Sequence, residues 1–271
     1  MTQTDKWVDE TYKELDQRIR EQESLFLDFF MTEYLADLFI DDTTLKNTVG
    51  NYNKVNEIND KFDEAFALFI TPFLLWYGKK LLESRDLAFD YFVKQGISSS
   101  ARDSSSMAKI LGIGKNKIIK GSFLWNLGQF GELRQRMQDM VMNAIATSRK
   151  FSLLVRDIKP LFKSTKKQRS ALSKYYLKYA YQPIMEMLNR TTYNLALKNG
   201  FTHFQYVGGL IEKSRDFCIE RDGKTFTIQE GQEWNNLDWA GKIDGVDFFV
   251  QAGGWACRHT LNYIKYETET E

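Results

Sequence analysis

Proline is scarce in this chain: Pro72, Pro160 and Pro183 are the only three in 271 residues. So few helix breakers in so long a sequence predict long helices. Cysteine and histidine are scarcer still, at two each, so thiol and metal chemistry has few positions to occupy. There is no charge of one sign in excess, because 37 Lys and Arg face 36 Asp and Glu. Bulk charge therefore gives no support for steering toward nucleic acid or a membrane surface, and leaves only local basic patches open. The opening residues MTQTDKWVDE are polar and acidic, without the cationic start and apolar run of a signal peptide. The most apolar stretch, 65–77, is interrupted by Thr71 and Pro72. It is read as a buried helix segment, too short to span a bilayer, and no membrane partner is expected. The sequence thus reads as a protein made in a reducing cytoplasm and later built into a particle.

What is present is apolar and aromatic material: 43% hydrophobic residues, with 20 Phe and 13 Tyr. That is enough for a real core in one large or two small domains. Asp5 is a plausible N-cap for a first helix reaching about Ile40, in which Val8, Tyr12, Leu15 and Ile19 form an apolar stripe. The polar, Asn-rich residues 41–56 read as a loop. A second helix is expected from Ile58 to Lys94, bent at Pro72. Residues 96–121 are rich in Ser and Gly and read as a linker or extended arm. Within them Gly112-Ile113-Gly114-Lys115 has the wrong spacing for a phosphate loop. Helices are expected over 124–150 and from Lys163 to Gly200, with Gly200 closing the latter. The tyrosines Tyr175, Tyr176, Tyr179 and Tyr181 read as ordinary packing, Tyr175 and Tyr179 sharing a face.

After Gly200 the pattern changes. FTHFQYV alternates as a strand with Phe204 and Tyr206 on one side. Asp222-Gly223 is a hairpin cue, and Thr227 or a neighbour caps a short helix containing Trp234. The predicted fold class is mostly α: a long-helix N-terminal region followed by a small C-terminal α+β module. The expected segments are 1–95 (long helices), 96–121 (linker or arm), 122–200 (helical), 201–266 (the Cys/His/Trp module) and 267–271 (a charged tail).

The chemistry-bearing residues collect in that module. Cys218, Cys257 and His259 could bind zinc, with His203 or a carboxylate as fourth ligand. A structural zinc site usually carries a Cys-x-x-Cys pair, however, and Arg221 stands where the second cysteine would be. Alternatively Cys218 and Cys257 are inert thiols or a disulfide, whose loop closure would contribute roughly 3–4 kcal/mol in the chain-entropy model. A third reading makes Cys218 a nucleophile with His259 as base, without an evident orienting residue. The remaining residues read as structural. Gly253 and Gly254 supply turns, Trp234, Trp239 and Trp255 supply apolar bulk, and Arg215 and Arg258 supply guanidinium forks for loop carbonyls or Asp216.

The C-terminal stretch resembles the closing module of phage head-morphogenesis proteins, the family of the phage Mu F-like minor head protein. The resemblance rests on an ordered series from Tyr179 to Ile264. Its pieces are Asn189-Arg190-Thr191, Phe204 to Gly209, Ser214-Arg215-Asp216-Phe217-Cys218, Arg221-Asp222-Gly223-Lys224, Trp234, Trp239, and Gly253 to His259. Many relatives carry a second cysteine where this chain has Arg221 and another where it has His259, so a Cys-Cys-His variant of their site is what survives here. The resemblance implies a minor capsid protein of the virion, present in few copies and bound to the portal protein and other head proteins. Such a protein acts in head morphogenesis, extending to contact with packaged DNA, and is not an enzyme. A metal-dependent enzyme, such as a nuclease or toxin-like payload, and an internal DNA-binding protein are the alternatives. The second would use the basic clusters at Lys115, Lys117 and Lys120 or at Lys163, Lys166, Lys167 and Arg169.

Overall fold

The computed structural model describes residues 3–41, 43–97, 104–115 and 117–265. The chain is mostly helical, with a small α+β region at its C-terminal end. In chain order the elements begin with α1 (Gln3–Glu33), the two-stranded ribbon β1 (Ile40–Asp41) and β2 (Thr44–Leu45), then α2 (Val49–Asn56), α3 (Ile58–Ala65) and α4 (Thr71–Lys94). Next come α5 (Ser104–Leu111), α6 (Phe123–Leu127), α7 (Gly131–Ala146), α8 (Phe151–Phe162), α9 (Ala171–Tyr179) and α10 (Tyr181–Lys198). The last part holds β3 (His203–Val207), α11 (Asp216–Ile219), β4 (Thr225–Thr227), α12 (Ile228–Glu233), α13 (Phe248–Gln251) and β5 (Thr260–Ile264). The chain divides into two compact units: residues 9–78 with 108–179, and residues 1–8 with 79–107 and 180–271. Both are assembled from separated stretches of sequence, unlike the linear segments expected.

In the first unit, α1 ends at Glu33, short of the expected Ile40. The Asn-rich stretch read as a loop contains α2, which Thr48 caps by accepting the Asn51 amide at 3.3 Å. Asn51 is fully buried. Its Oδ1 accepts from Phe39 N–H at 2.8 Å, and its Nδ2 donates to the carbonyls of Phe39 (2.9 Å) and Lys46 (2.8 Å). A residue that disfavours helix interiors is held in one here because tertiary partners take up its amide.

Next to Pro72 the helical hydrogen-bond spacing changes. Residues Phe66–Ile70 widen into a π turn just before it, and the Thr71 amide and hydroxyl both bond the Phe66 carbonyl. A wider turn accommodates a proline ring that would otherwise press on the carbonyl four residues back. The run of successive helices Val49–Lys94 is long and apolar enough, by length and composition alone, to cross a membrane. The short-stretch argument from sequence therefore does not hold. The run's Phe66, Ile70, Phe73, Leu74, Tyr77 and Leu81 are nonetheless buried inside the protein, as in a core helix.

The expected helix over 124–150 is two helices, broken at Phe130, whose backbone is left-handed (φ 49°) while its ring packs edge-on to Phe26, Tyr175 and Tyr176. Likewise the expected helix from Lys163 begins only at Ala171. Residues 163–170 form a loop around buried Glu23, which accepts the Ser164 amide (3.2 Å), the Ser164 hydroxyl (2.5 Å) and the Ser170 hydroxyl. Tyr175 and Tyr179 do pair, with ring centroids 4.8 Å apart; the side chain of Tyr181 lies outside the described residues. In the expected arm 96–121, Ser104–Leu111 is helical and Ile113 bridges Ile118. The 98–103 part of that arm and the charged tail 267–271 lie outside the described residues.

In the second unit, Pro183 falls in the first turn of α10, where a missing amide costs no hydrogen bond. Gly200 (φ 73°) ends α10 as expected, with the Phe201 amide reaching back to the Ala196 carbonyl. A three-stranded antiparallel sheet follows in the order β4-β3-β5, with Phe204 opposite Phe226 and Tyr263, and Tyr206 opposite Leu261. The Asp222-Gly223 hairpin is not formed. The residues before it are the short helix α11, and β3 reaches β4 by a long connection. The buried core of this region also takes in Phe92 and Ala196, so it does not stop at residue 200.

Candidate metal centre

Strand alternation on β3 buries Phe204 and Tyr206 and turns His203, Gln205 and Val207 to the other face. Tyr206 lies flat against the His259 imidazole, with centroids 4.6 Å apart and planes 20° apart. Gly208, just past the strand, has no room for a side chain, since a Cβ would fall 2.7 Å from the His259 Cα. Arg215, extended at the N-terminus of α11, starts the single turn that places Cys218 in the core. On the other side, Asp247 caps α13 by accepting the Phe249 amide at 2.8 Å. The chain then turns sharply through Ala252 (φ 48°), Gly254 (φ 91°) and Ala256 (φ 55°) into Cys257. Two alanines at positive φ are unfavourable, and they persist because the surrounding bonds over-determine them. The Trp255 amide donates to the Gly241 carbonyl, and the Ala256 amide to Gln182 Oε1. The Arg215 guanidinium donates to the carbonyls of Gly253 and Trp255, and Trp239 Nε1 donates to Gly253 as well.

The result is a buried cluster. Cys218, Cys257 and His259 each bring a ligand atom within 4.8 Å of the others, and they are 3%, 7% and 4% exposed. Cys257 Sγ lies 3.5 Å from His259 Nδ1 and accepts the His259 amide at 3.4 Å. Tyr206 Oη is 3.4 Å from Cys218 Sγ and 3.8 Å from Cys257 Sγ. Behind the imidazole, His259 Nε2 is 3.2 Å from Asp222 Oδ1, yet the pair lacks hydrogen-bond alignment and the nitrogen is sealed from solvent. The Asp222 carboxylate is held by the Gly209 amide. Both thiols are free, so the disulfide alternative is not present. A hydrogen bond joins the two thiols. It pushes the Cys218 thiol up, with burial adding to the rise. The same bond pulls the Cys257 thiol down against burial, helped by His259. Burial first, and then the two sulfurs, hold the Tyr206 hydroxyl far above its ordinary range, so it stays a donor.

Of the residues expected at a site, the structure brings together Cys218, Cys257 and His259 but not His203. That residue sits on the opposite face of β3, its Nδ1 2.8 Å from the Thr202 hydroxyl. Arg221 lies over the rings of Phe217 (3.9 Å) and Trp234 (4.6 Å) and donates to the Phe217 carbonyl. Arg215, one of the two arginines expected to tie loops, donates to the Gly253 and Trp255 carbonyls. Trp234 is buried, whereas Trp255, expected in the core, is 39% exposed. Sequence reasoning missed Tyr206 as a neighbour of the sulfurs. It also missed Gln251, whose buried amide bonds Ile243 N–H and the Ile243 and Val246 carbonyls. Neither carries a sequence signal beyond strand alternation. No protein-family model, curated protein or solved structure matches the chain.

Proposed function

We propose that this chain is a structural, non-enzymatic minor head protein of a tailed bacteriophage. It binds near the portal vertex and acts in head assembly, with a further part in DNA packaging or ejection. The observation that carries this reading is what the motif residues do. The pieces behind the resemblance are far apart in sequence, yet they bond to one another. Tyr206 exchanges backbone bonds with Gly223 and Lys224, Arg215 ties Gly253 and Trp255, and Arg221 stacks on Phe217 and Trp234. Residues spent on holding loops together, around a thiol and imidazole cluster closed to solvent, suit a scaffold better than a catalytic cleft, which must admit a substrate. Its place is the virion, after assembly in the host cytoplasm.

Quantitative mass spectrometry of purified virions tests this. The chain is expected in the particles at far fewer copies than the major capsid protein, and a nonsense mutant is expected to yield defective heads. Absence from virions, with normal heads from the mutant, would overturn the proposal. The internal DNA-binding reading has one observation of its own, a concave surface lined by Arg20, Lys166, Lys167 and Arg169. Two of these are already engaged, since Asp16 takes bonds from both Arg20 and Arg169. Steeply salt-dependent retention of DNA by the purified chain would favour that reading.

A further inference from the structure

We propose that Cys218, Cys257 and His259 bind one divalent cation of the zinc class, with His259 ligating through Nδ1 and Asp222 as the positioning carboxylate behind its Nε2. The inference rests on the cluster itself and does not depend on the head-protein reading.

Four observations converge. The first is size. A tetrahedral zinc with ordinary sulfur and nitrogen bond lengths needs ligand atoms about 3.5–3.8 Å apart. Cys257 Sγ and His259 Nδ1 are 3.5 Å apart, and all three ligand atoms fall within 4.8 Å. The second is charge. Two thiolates and a neutral imidazole balance a divalent ion, so the filled site is neutral, as so buried a position requires. Binding expels the thiol protons to the buffer.

The third observation is the orientation of His259. A proton on Nε2 faces the Asp222 carboxylate 3.2 Å away, and leaves Nδ1 with its lone pair toward Cys257. In the absence of an ion, nothing fixes that tautomer, and Nε2 is left without an aligned partner. A metal on Nδ1 puts the proton on Nε2, the carboxylate-histidine-metal relay in which an outer carboxylate orients the ligand. The fourth is the surroundings of the sulfurs. The His259 amide donates to Cys257 Sγ, and the Tyr206 hydroxyl lies 3.4 Å from Cys218 Sγ and 3.8 Å from Cys257 Sγ; a donor to sulfur stabilises the thiolate. The Gly253 backbone packs directly against them, for a Cβ there would fall 2.4 Å from Cys218 Sγ and 2.7 Å from Cys257 Sγ. Among the described residues three side chains supply ligands, two sulfurs and one imidazole nitrogen.

The test uses the full chain, purified in a phosphine reductant, stripped with a chelator and titrated with Co²⁺ and then Zn²⁺. The expected result is one Co²⁺ per chain, with a sulfur-to-cobalt charge-transfer band and tetrahedral d–d absorption, both abolished by one equivalent of Zn²⁺. Asp222→Asn is expected to keep the stoichiometry and the thiolate band while weakening zinc affinity roughly 10–100-fold. Cys218→Ser and Cys257→Ser are expected to lose the charge-transfer intensity. Since they remove core side chains, the titration of the unaltered chain carries the test alone if they do not fold. Absence of the thiolate band and of bound zinc in the unaltered chain overturns the site. Cys218–Cys257 disulfide formation in air, with no metal uptake in reductant, overturns it in favour of a redox staple. Unchanged affinity in Asp222→Asn overturns the role of the carboxylate.

Discussion

In residues 9–78 and 108–179 the aromatic core is hung on helices. Phe26 stacks on Phe162 (5.7 Å, 4°) and meets Phe130 edge-on, while Phe30 packs 4.7 Å from Phe62. Apart from Phe130 at the break between α6 and α7, each of these rings is placed by helical register, and neighbouring turns hold it there. In the C-terminal region the rings are equally close, with Phe217 on Trp239 at 4.2 Å and Trp234 against Phe248 at 4.7 Å. Their backbone, though, is mostly turns and single-turn helices. There the positions are set by side chains that bond to loop backbone: Arg215, Gln251, Asp247 and Thr227. One region depends on packing and periodicity, the other on a set of individual polar bonds. Mutation should separate them.

Phe30→Ala should have the largest effect, a loss of about 3–5 kcal/mol by denaturant unfolding, as for other large core rings. A loss below about 1 kcal/mol would mean that the surrounding helices collapse into the space. Glu23→Ala should cost about 3 kcal/mol, because the Ser164 amide and the Ser164 and Ser170 hydroxyls lose a charged acceptor in a buried place. It would show that the helical unit, too, has one polar linchpin; wild-type stability would return that unit to packing alone. Arg215→Lys should cost about 2 kcal/mol, since an ammonium cannot span the Gly253 and Trp255 carbonyls as a planar fork does. Unchanged melting of the variant would move the hold on those loops to Gln182 and Trp239.

Thr227→Ala is expected to be the smallest, about 1 kcal/mol for a lost N-cap, with a signature in acid. Thr227 and Glu230 form a capping box. The Thr227 amide first, and its hydroxyl second, hold the Glu230 carboxyl below the usual carboxylate range. A carboxyl depressed on folding stabilises above its unfolded value, and that contribution disappears as pH falls through the folded value. The substitution removes the hydroxyl, so unfolding across acidic pH should show a shallower loss than in the unaltered chain. Parallel curves would remove Glu230 from the balance.

How much was legible follows the same division. The apolar stripe Val8, Tyr12, Leu15, Ile19 is buried as its spacing predicts, and Gly200, Thr227 and the Phe204/Tyr206 face hold the places their local chemistry implies. These features depend on neighbours within a turn or two of the chain. The misread stretches depend on distant partners. Residues 49–56 are helical because Asn51 bonds Phe39 and Lys46, and residues 163–170 form a loop because Glu23 collects their donors. The cysteines and His259 stood out by rarity, and their convergence was one of several open readings. Excluding His203 needed the face of β3, and Asp222 was one acid among several until the fold set it behind the imidazole.

The sequence by itself determined the class of the molecule: few breakers and long apolar periodicities make helices, and alternation with glycine-rich turns makes a small terminal sheet. Those are consequences of backbone geometry, and they act locally. Which thiol meets which imidazole, which arginine ties the loops, and which of the expected helices break were decided only by the tertiary structure. Residues as far apart as Glu23 and Ser170, 147 positions along the chain, satisfy each other's buried polar groups. A buried donor or acceptor must find a partner wherever the fold brings one.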